Sequence, residues 1–157
     1  MNRHYCFTLY CLSLFLLTGL GGCSDSIPVV KVSGVVTYKG EPLEDASITF
    51  LPVISDGRVA VGITQSDGSF QLVTQAARSE GCLPGKYNIT VHKTVLVDEN
   101  GALYVMPAEP VPGSAPQKMP ISKSFLPTKY GEAATSNLSA EVLPKGKNHF
   151  IFNLSDE

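Results

Sequence analysis

The sequence predicts an all-β protein, a seven-stranded antiparallel β-sandwich that follows an N-terminal signal peptide. Three observations predict it. From Val30 onward the apolar residues recur with period two rather than 3.6. Gly, Pro, Asn and Asp clusters punctuate the alternating runs at short intervals. The first 22 residues form a segment of a different kind, basic at its start and then apolar.

That segment carries Arg3 and then the run Phe7-Thr8-Leu9-Tyr10-Cys11-Leu12-Ser13-Leu14-Phe15-Leu16-Leu17, which stops at Thr18-Gly19. A spanning helix needs about 20 apolar residues, so the run has the length of a signal-peptide core and not of a membrane span. Leu20-Gly21-Gly22-Cys23 follows and resembles a lipobox. In such a motif an aliphatic residue and two small residues enter the signal-peptidase cleft, and the cysteine thiol accepts diacylglycerol. Residues 1–22 are therefore expected to be removed, Cys23 to be lipidated, and residues 23–29, beginning Cys23-Ser24-Asp25-Ser26, to be a short tether. Stable anchoring takes more than one acyl chain, which lipoproteins obtain by acylating the new amino group as well.

The domain occupies residues 30–157. Val30, Val32, Gly34, Val36 and Tyr38 alternate with polar or smaller partners, and Lys39-Gly40-Glu41-Pro42 supplies a turn. Ala46, Ile48 and Phe50 make the second strand, ended by Pro52, which lacks a ladder donor. Val59, Val61 and Ile63 make the third. Ser66-Asp67-Gly68-Ser69 turns the chain into a fourth with Phe70, Leu72 and Thr74, and the pair is expected to be an antiparallel hairpin. Cys82-Leu83-Pro84-Gly85 leads into Tyr87, Ile89 and Val91, with Lys86, Asn88, Thr90 and His92 expected to face water and the strand open to extension as far as Val97. Leu138, Ala140 and Val142 form the sixth strand, and Phe150, Phe152 and Leu154 the seventh. Seven short strands joined by turns suggest two packed sheets.

Residues 98–127 break this spacing. They hold six of the eleven prolines and show no sustained period. A loop of that length inside a compact domain is functional or disordered, so Pro107 to Gly113 is either an extended binding arm or a solvated excursion.

Composition excludes several function classes. A net charge of −2 with scattered basic residues gives no nucleic-acid footprint. Of the four cysteines, Cys6 and Cys11 lie in the leader and Cys23 closes it, which leaves Cys82 alone in the domain without a disulfide partner.

Val32-Ser33-Gly34-Val35-Val36-Thr37-Tyr38-Lys39-Gly40-Glu41-Pro42-Leu43, followed by Ala46 and Ile48-Thr49-Phe50, resembles the opening of carboxypeptidase-regulatory-like, transthyretin-like domains. Thr64-Gln65-Ser66-Asp67-Gly68-Ser69-Phe70 is similar to the family's turn before a core phenylalanine, and Pro84-Gly85-Lys86-Tyr87 to its strand entry. Pro127-Thr128-Lys129-Tyr130 and Asn148-His149-Phe150 match segments that close small lipoproteins of this type. The resemblance covers nearly all of residues 30–154 and implies a Greek-key sandwich of the prealbumin type. Its motif residues are turn formers and core aromatics, namely Gly34, Gly40, Pro42, Asp67, Gly68, Phe70, Pro84, Gly85 and Tyr87, and such residues specify a scaffold rather than a reaction.

Candidate chemistry is sparse. His92 and His149 are the histidines of the domain, each in a different strand and without acidic or thiol neighbours at metal-ligand spacing, so no metal site and no cofactor is expected. A ureide hydrolase of the transthyretin-like type uses several histidines and a C-terminal Tyr-Arg-Gly-Ser tail, whereas this chain ends Asn153-Leu154-Ser155-Asp156-Glu157. Asp56, Asp67, Asp98 and Glu99 occupy turn positions that favour acidic residues in any case. The expectation is a non-catalytic lipoprotein of the bacterial cell envelope, lipid-anchored to a membrane and serving a structural or interaction role toward an envelope protein or glycan. A carbohydrate or small-molecule binding module is the alternative, with Tyr104, Phe125 and Tyr130 as its aromatic platform. A hydrolase is the remote one.

Overall fold

A computed structural model describes residues 28–74, 79–105 and 119–156. The described chain is all-β. Its strands are β1 (Val32–Tyr38), β2 (Glu41–Pro42), β3 (Ser47–Pro52), β4 (Ala60–Ile63), β5 (Ser69–Gln71), β6 (Val73–Thr74), β7 (Ser79–Glu80), β8 (Gly85–His92), β9 (Thr94–Val97), β10 (Ile121–Ser124), β11 (Leu138–Val142) and β12 (Asn148–Leu154). A 3₁₀ turn at Thr128–Gly131 interrupts them.

One sheet runs β11-β8-β3-β4-β6-β7, a second runs β12-β1-β2 with β5 also on β1, and β9 with β10 makes a separate two-stranded arm. The two larger sheets share one buried cluster, an arrangement consistent with a β-sandwich. Phe50 of β3 sits at its centre. Its ring lies 6.4 Å from Phe70 of β5, 6.0 Å from Phe150 and 6.2 Å from Phe152 of β12, and 5.7 Å from Tyr87 of β8. These spacings and tilts favour the ring quadrupoles; the contacts with Phe70, Phe150 and Phe152 tie one sheet to the other, and Tyr87 packs beside Phe50 within its own sheet.

All seven anticipated runs are extended, but the strand list and pairing differ from the expected antiparallel set of seven. β1 pairs β12 in parallel, from Val32 beside Asn148 to Tyr38 beside Leu154. The run 70–74 does not stay in one sheet: β5 pairs β1, and two residues later β6 pairs β4, so the predicted antiparallel hairpin with β4 survives only at Ala60–Thr74 and Val61–Val73. β4 is also out of phase with its apolar residues. Ala60, Gly62 and Thr64 face the core, while Val61 is half-buried and Ile63 is 67% exposed. The crossing chain leaves room only for small inward residues there, since a Cβ on Gly62 would stand 2.6 Å from the Gln71 carbonyl oxygen. Thr90 is buried rather than solvated, and the 3₁₀ turn packs near the end of β8, where Gly131 meets the His92 ring. β8 does not run on to Val97. It ends at His92, and β9 leaves it to pair with β10, which converts part of the anticipated 98–127 loop into a strand. Pro107 to Gly113 lie outside the described residues.

Turn chemistry explains the tight connections. Lys39 and Gly40 both have positive φ, 55° and 85°, which is the type I′ geometry whose twist suits a two-residue hairpin. Gly68 has φ 74°, and its missing side chain lets the Val36 carbonyl oxygen approach within 2.4 Å of where a Cβ would stand. Gly34 instead permits close packing inside β1: a Cβ would meet the Phe150 carbonyl oxygen at 2.2 Å and the Phe70 ring at 2.6 Å.

Gly34→Ala is expected to lower unfolding free energy by about 2–3 kcal/mol through this overpacking, and Phe50→Ala by about 3–5 kcal/mol through the cavity it leaves. Urea titration checks both; a change below about 1 kcal/mol at either site contradicts this account of the core.

Candidate functional site

The expected lipidation site Cys23 and the recognition residues Leu20, Gly21 and Gly22 lie outside the described residues, as does the tether through residue 27. The structure does define where the chain enters the fold ahead of β1. Val30 forms an isolated antiparallel bridge with Cys82, its N–H donating to the Cys82 carbonyl at 2.9 Å and its carbonyl accepting from the Cys82 N–H at 3.0 Å. A Cβ on Gly81 (φ 109°) would stand 2.1 Å from the Val30 carbonyl oxygen, so this glycine permits the join.

The motif residues of the sequence fall into turns and core. Asp67 Oδ1 accepts from the Ser69 N–H at 2.9 Å, an Asx turn, and hydrogen bonds from Ser69 hold its carboxyl below the usual range. Pro42 sits in β2 opposite Thr37. Pro84 precedes Gly85 at the start of β8, and Gly85 has φ 150°. Phe70 and Tyr87 are fully buried, and the Tyr87 hydroxyl donates to the Leu83 carbonyl at 2.8 Å.

Cys82 lies beside Tyr87 in the core. Burial pushes its thiol up to about 11, and burial with the neighbouring thiol raises the Tyr87 hydroxyl as well. A thiol so raised is a poor nucleophile at neutral pH. His92 and His149 are exposed and stand on different sheets, His92 against Gly131 and His149 with Nδ1 3.1 Å from the Ser33 hydroxyl. Among the described residues no three His, Cys, Asp or Glu side chains converge as a metal set. Asp98 serves its turn, accepting at Oδ1 from the N–H groups of Asn100 and Ala102. No described helix is long and apolar enough to cross a membrane.

The aromatic platform divides. Tyr130 is buried, and its hydroxyl both donates to the Ser155 carbonyl and accepts from the Ser155 N–H at 2.9 Å, so it pins the C-terminal segment instead of facing a ligand. Phe125 is 44% exposed, packs edge-on against Tyr38 at 5.6 Å and lies under the Lys93 ammonium. Tyr104 is half-buried.

Three features were not visible in the sequence. Tyr38, Lys39 and Asp156 form a surface cluster in which both partners hold the carboxylate of Asp156 below its usual range. An open cleft of about 360 Å³ lies between β1 and β12 and the 79–81 segment, lined by Lys31, Gln71, Glu80, Lys147 and Asn148 among others. The β9–β10 arm and its flanks expose Leu103 (71%), Val105 (83%), Met119 (88%) and Ile121 (58%). Alternation had not marked these four, because they surround the Pro-rich stretch that carries no period.

Comparison with known protein families, curated proteins and solved structures finds no match to this chain.

Cys82 has its folded pKa raised above the free-thiol value, so its contribution to stability is complete below about pH 9 and is lost as pH rises toward about 11. Stability is therefore expected to fall across that window, less steeply in Cys82→Ala, as read by denaturation at stepped pH. The native thiol should also resist a thiol reagent at pH 8 until urea unfolds the chain; rapid native labelling contradicts its burial.

Proposed function

We propose that this chain is a non-catalytic lipoprotein of the bacterial cell envelope, anchored through lipidated Cys23, whose transthyretin-like domain holds an interaction surface away from the bilayer. The lipobox-like Leu20-Gly21-Gly22-Cys23 after a short apolar run supports the anchor. The positive φ of Gly40 and Gly68 and the burial of Phe70 and Tyr87 fit the scaffold roles that the family resemblance assigns to them.

The observation that carries the interaction role is the exposed apolar set on the β9–β10 arm. Four aliphatic or thioether side chains exposed along one arm and its flanks are costly to leave in water, and exposed apolar surface of this kind favours a protein-contact role. The partner class is an envelope protein. A second reading, binding of a small polar ligand or glycan, draws on the cleft between Lys31, Glu80 and Lys147, whose mixed charges and amides suit hydroxyl-rich molecules.

Cys23→Ser is expected to leave thermal unfolding unchanged while abolishing retention in carbonate-washed membranes, because the lipid attachment is separate from the core. Equal retention of the variant contradicts the anchor. A photocrosslinker placed at Val105 or Met119 should give a discrete envelope adduct that the same group at exposed Ile63 does not; identical patterns at all three contradict the arm as the contact surface.

A further inference from the structure

The strand ends define two poles, and the tether enters at only one. β1 and β12 both start at this pole, at Val32 and Asn148; β3 ends there at Pro52, which pairs Tyr87 near the start of β8; and β11 ends there at Val142, which pairs Gly85. The 53–59 loop and the 143–147 hairpin therefore project from the same pole as Val30.

That pole is basic and apolar at its tips. Lys31, Arg58, Lys86, Lys145 and Lys147 are all exposed there, against the acidic Asp56, Glu80 and Glu141. Val53 (59%), Ile54 (64%) and Leu143 (50%) are exposed beside them. The opposite pole has the reverse balance, with Lys39, Lys93 and Lys129 against Glu41, Glu44, Asp45, Asp67, Glu132 and Asp156. Seven residue steps separate Val30 from Cys23, so the chain holds the basic pole within about 25 Å of the lipid attachment point. At such a distance even weak surface contacts form intramolecularly.

We infer that the pole formed by the 53–59 loop and the 143–147 hairpin is a membrane-contact surface, which lies on an anionic lipid face with its lysines at the headgroups and Val53, Ile54 and Leu143 at their apolar border. The inference rests on the anchor proposed above. Lys and Arg are attracted by anionic headgroups and long aliphatic side chains insert at the boundary, and the two occur together at this pole. Contact of this kind fixes the orientation of the domain. The acidic pole then faces away from the bilayer.

The chain contains no Trp, so Ile54→Trp introduces a single reporter, and Ile63→Trp, toward the far ends of β3 and β4, serves as control. The chain from Cys23 to Glu157 has two thiols, of which Cys82 is buried, so a maleimide lipid captures it through Cys23 without the native lipidation machinery. Bound in this way to vesicles of phosphatidylcholine with phosphatidylglycerol, Ile54→Trp should shift its emission to shorter wavelength and be quenched by brominated acyl chains. Pure phosphatidylcholine, raised salt or the added pair Lys145→Glu and Lys147→Glu should remove most of the shift, and Ile63→Trp should not shift. An unshifted Ile54→Trp on anionic vesicles, or an equal shift at Ile63→Trp, overturns the inference. So does a concentration-dependent shift without vesicles, which would assign the pole to a second copy of the chain. Because the maleimide supplies the anchor, a failed native lipidation leaves this result unaffected and appears separately in the mass of the membrane-extracted protein.

Discussion

Seven consecutive residue pairs, from Val32 with Asn148 to Tyr38 with Leu154, bind the first long strand of the domain to the last in parallel. A parallel pair cannot be closed by a hairpin, so the rest of the domain forms the connection between them. Their partnership brings Val30 and the 143–147 hairpin to one pole, and Tyr38, Lys39 and Asp156 to the other. Gly34 is the residue that permits it, since the Phe150 backbone and the Phe70 ring occupy the space a side chain would need. Most of the contacts that stabilise such a topology join residues distant in sequence, so the loops close before the contacts reward them.

The aromatic cluster around Phe50 depends on that closure. Phe150 and Phe152 arrive on β12, Phe70 on β5 and Tyr87 on β8, and only the assembled sheets place all four about one ring. Polar groups inside are satisfied by short links: Thr64 Oγ1 accepts from the Ala46 N–H, Thr74 Oγ1 donates to the Gly81 carbonyl, and the Asn148 amide bonds both backbone groups of Leu143. These bonds lock the strand crossings whose loops carry the exposed surfaces.

Much of the fold was legible because a half-buried strand alternates. The inward residues Val32, Val36, Ile48, Phe50, Tyr87, Ile89, Val91, Val142, Phe152 and Leu154 can all be read from period two. Partner choice cannot. Alternation is the same for a parallel or antiparallel neighbour, so the β1–β12 pairing was hidden, as was the switch of sheets between Gln71 and Val73. At β4 the pattern misled, because Val61 and Ile63 look like core while crowding at Gln71 admits only Ala60 and Gly62 inside. Tyr130 was misplaced because it lies in a 3₁₀ turn near the end of β8, and short irregular elements leave no period; Thr90 is buried on a face where alternation alone expects water. Of the candidate site, the anchor motif is a sequence signal, whereas the apolar arm and the two charged poles are products of topology.

The proposed adaptor role would use all three surfaces: the basic pole beside Val30, the sandwich-like body and the apolar arm. Cys23 is proposed to become the lipidated first residue of the mature chain, and intact mass spectrometry of the membrane-extracted protein tests this most directly. A chain that begins at Cys23 and carries added acyl mass is the predicted result. A chain without acyl mass, cleaved elsewhere or retaining its leader, would contradict it.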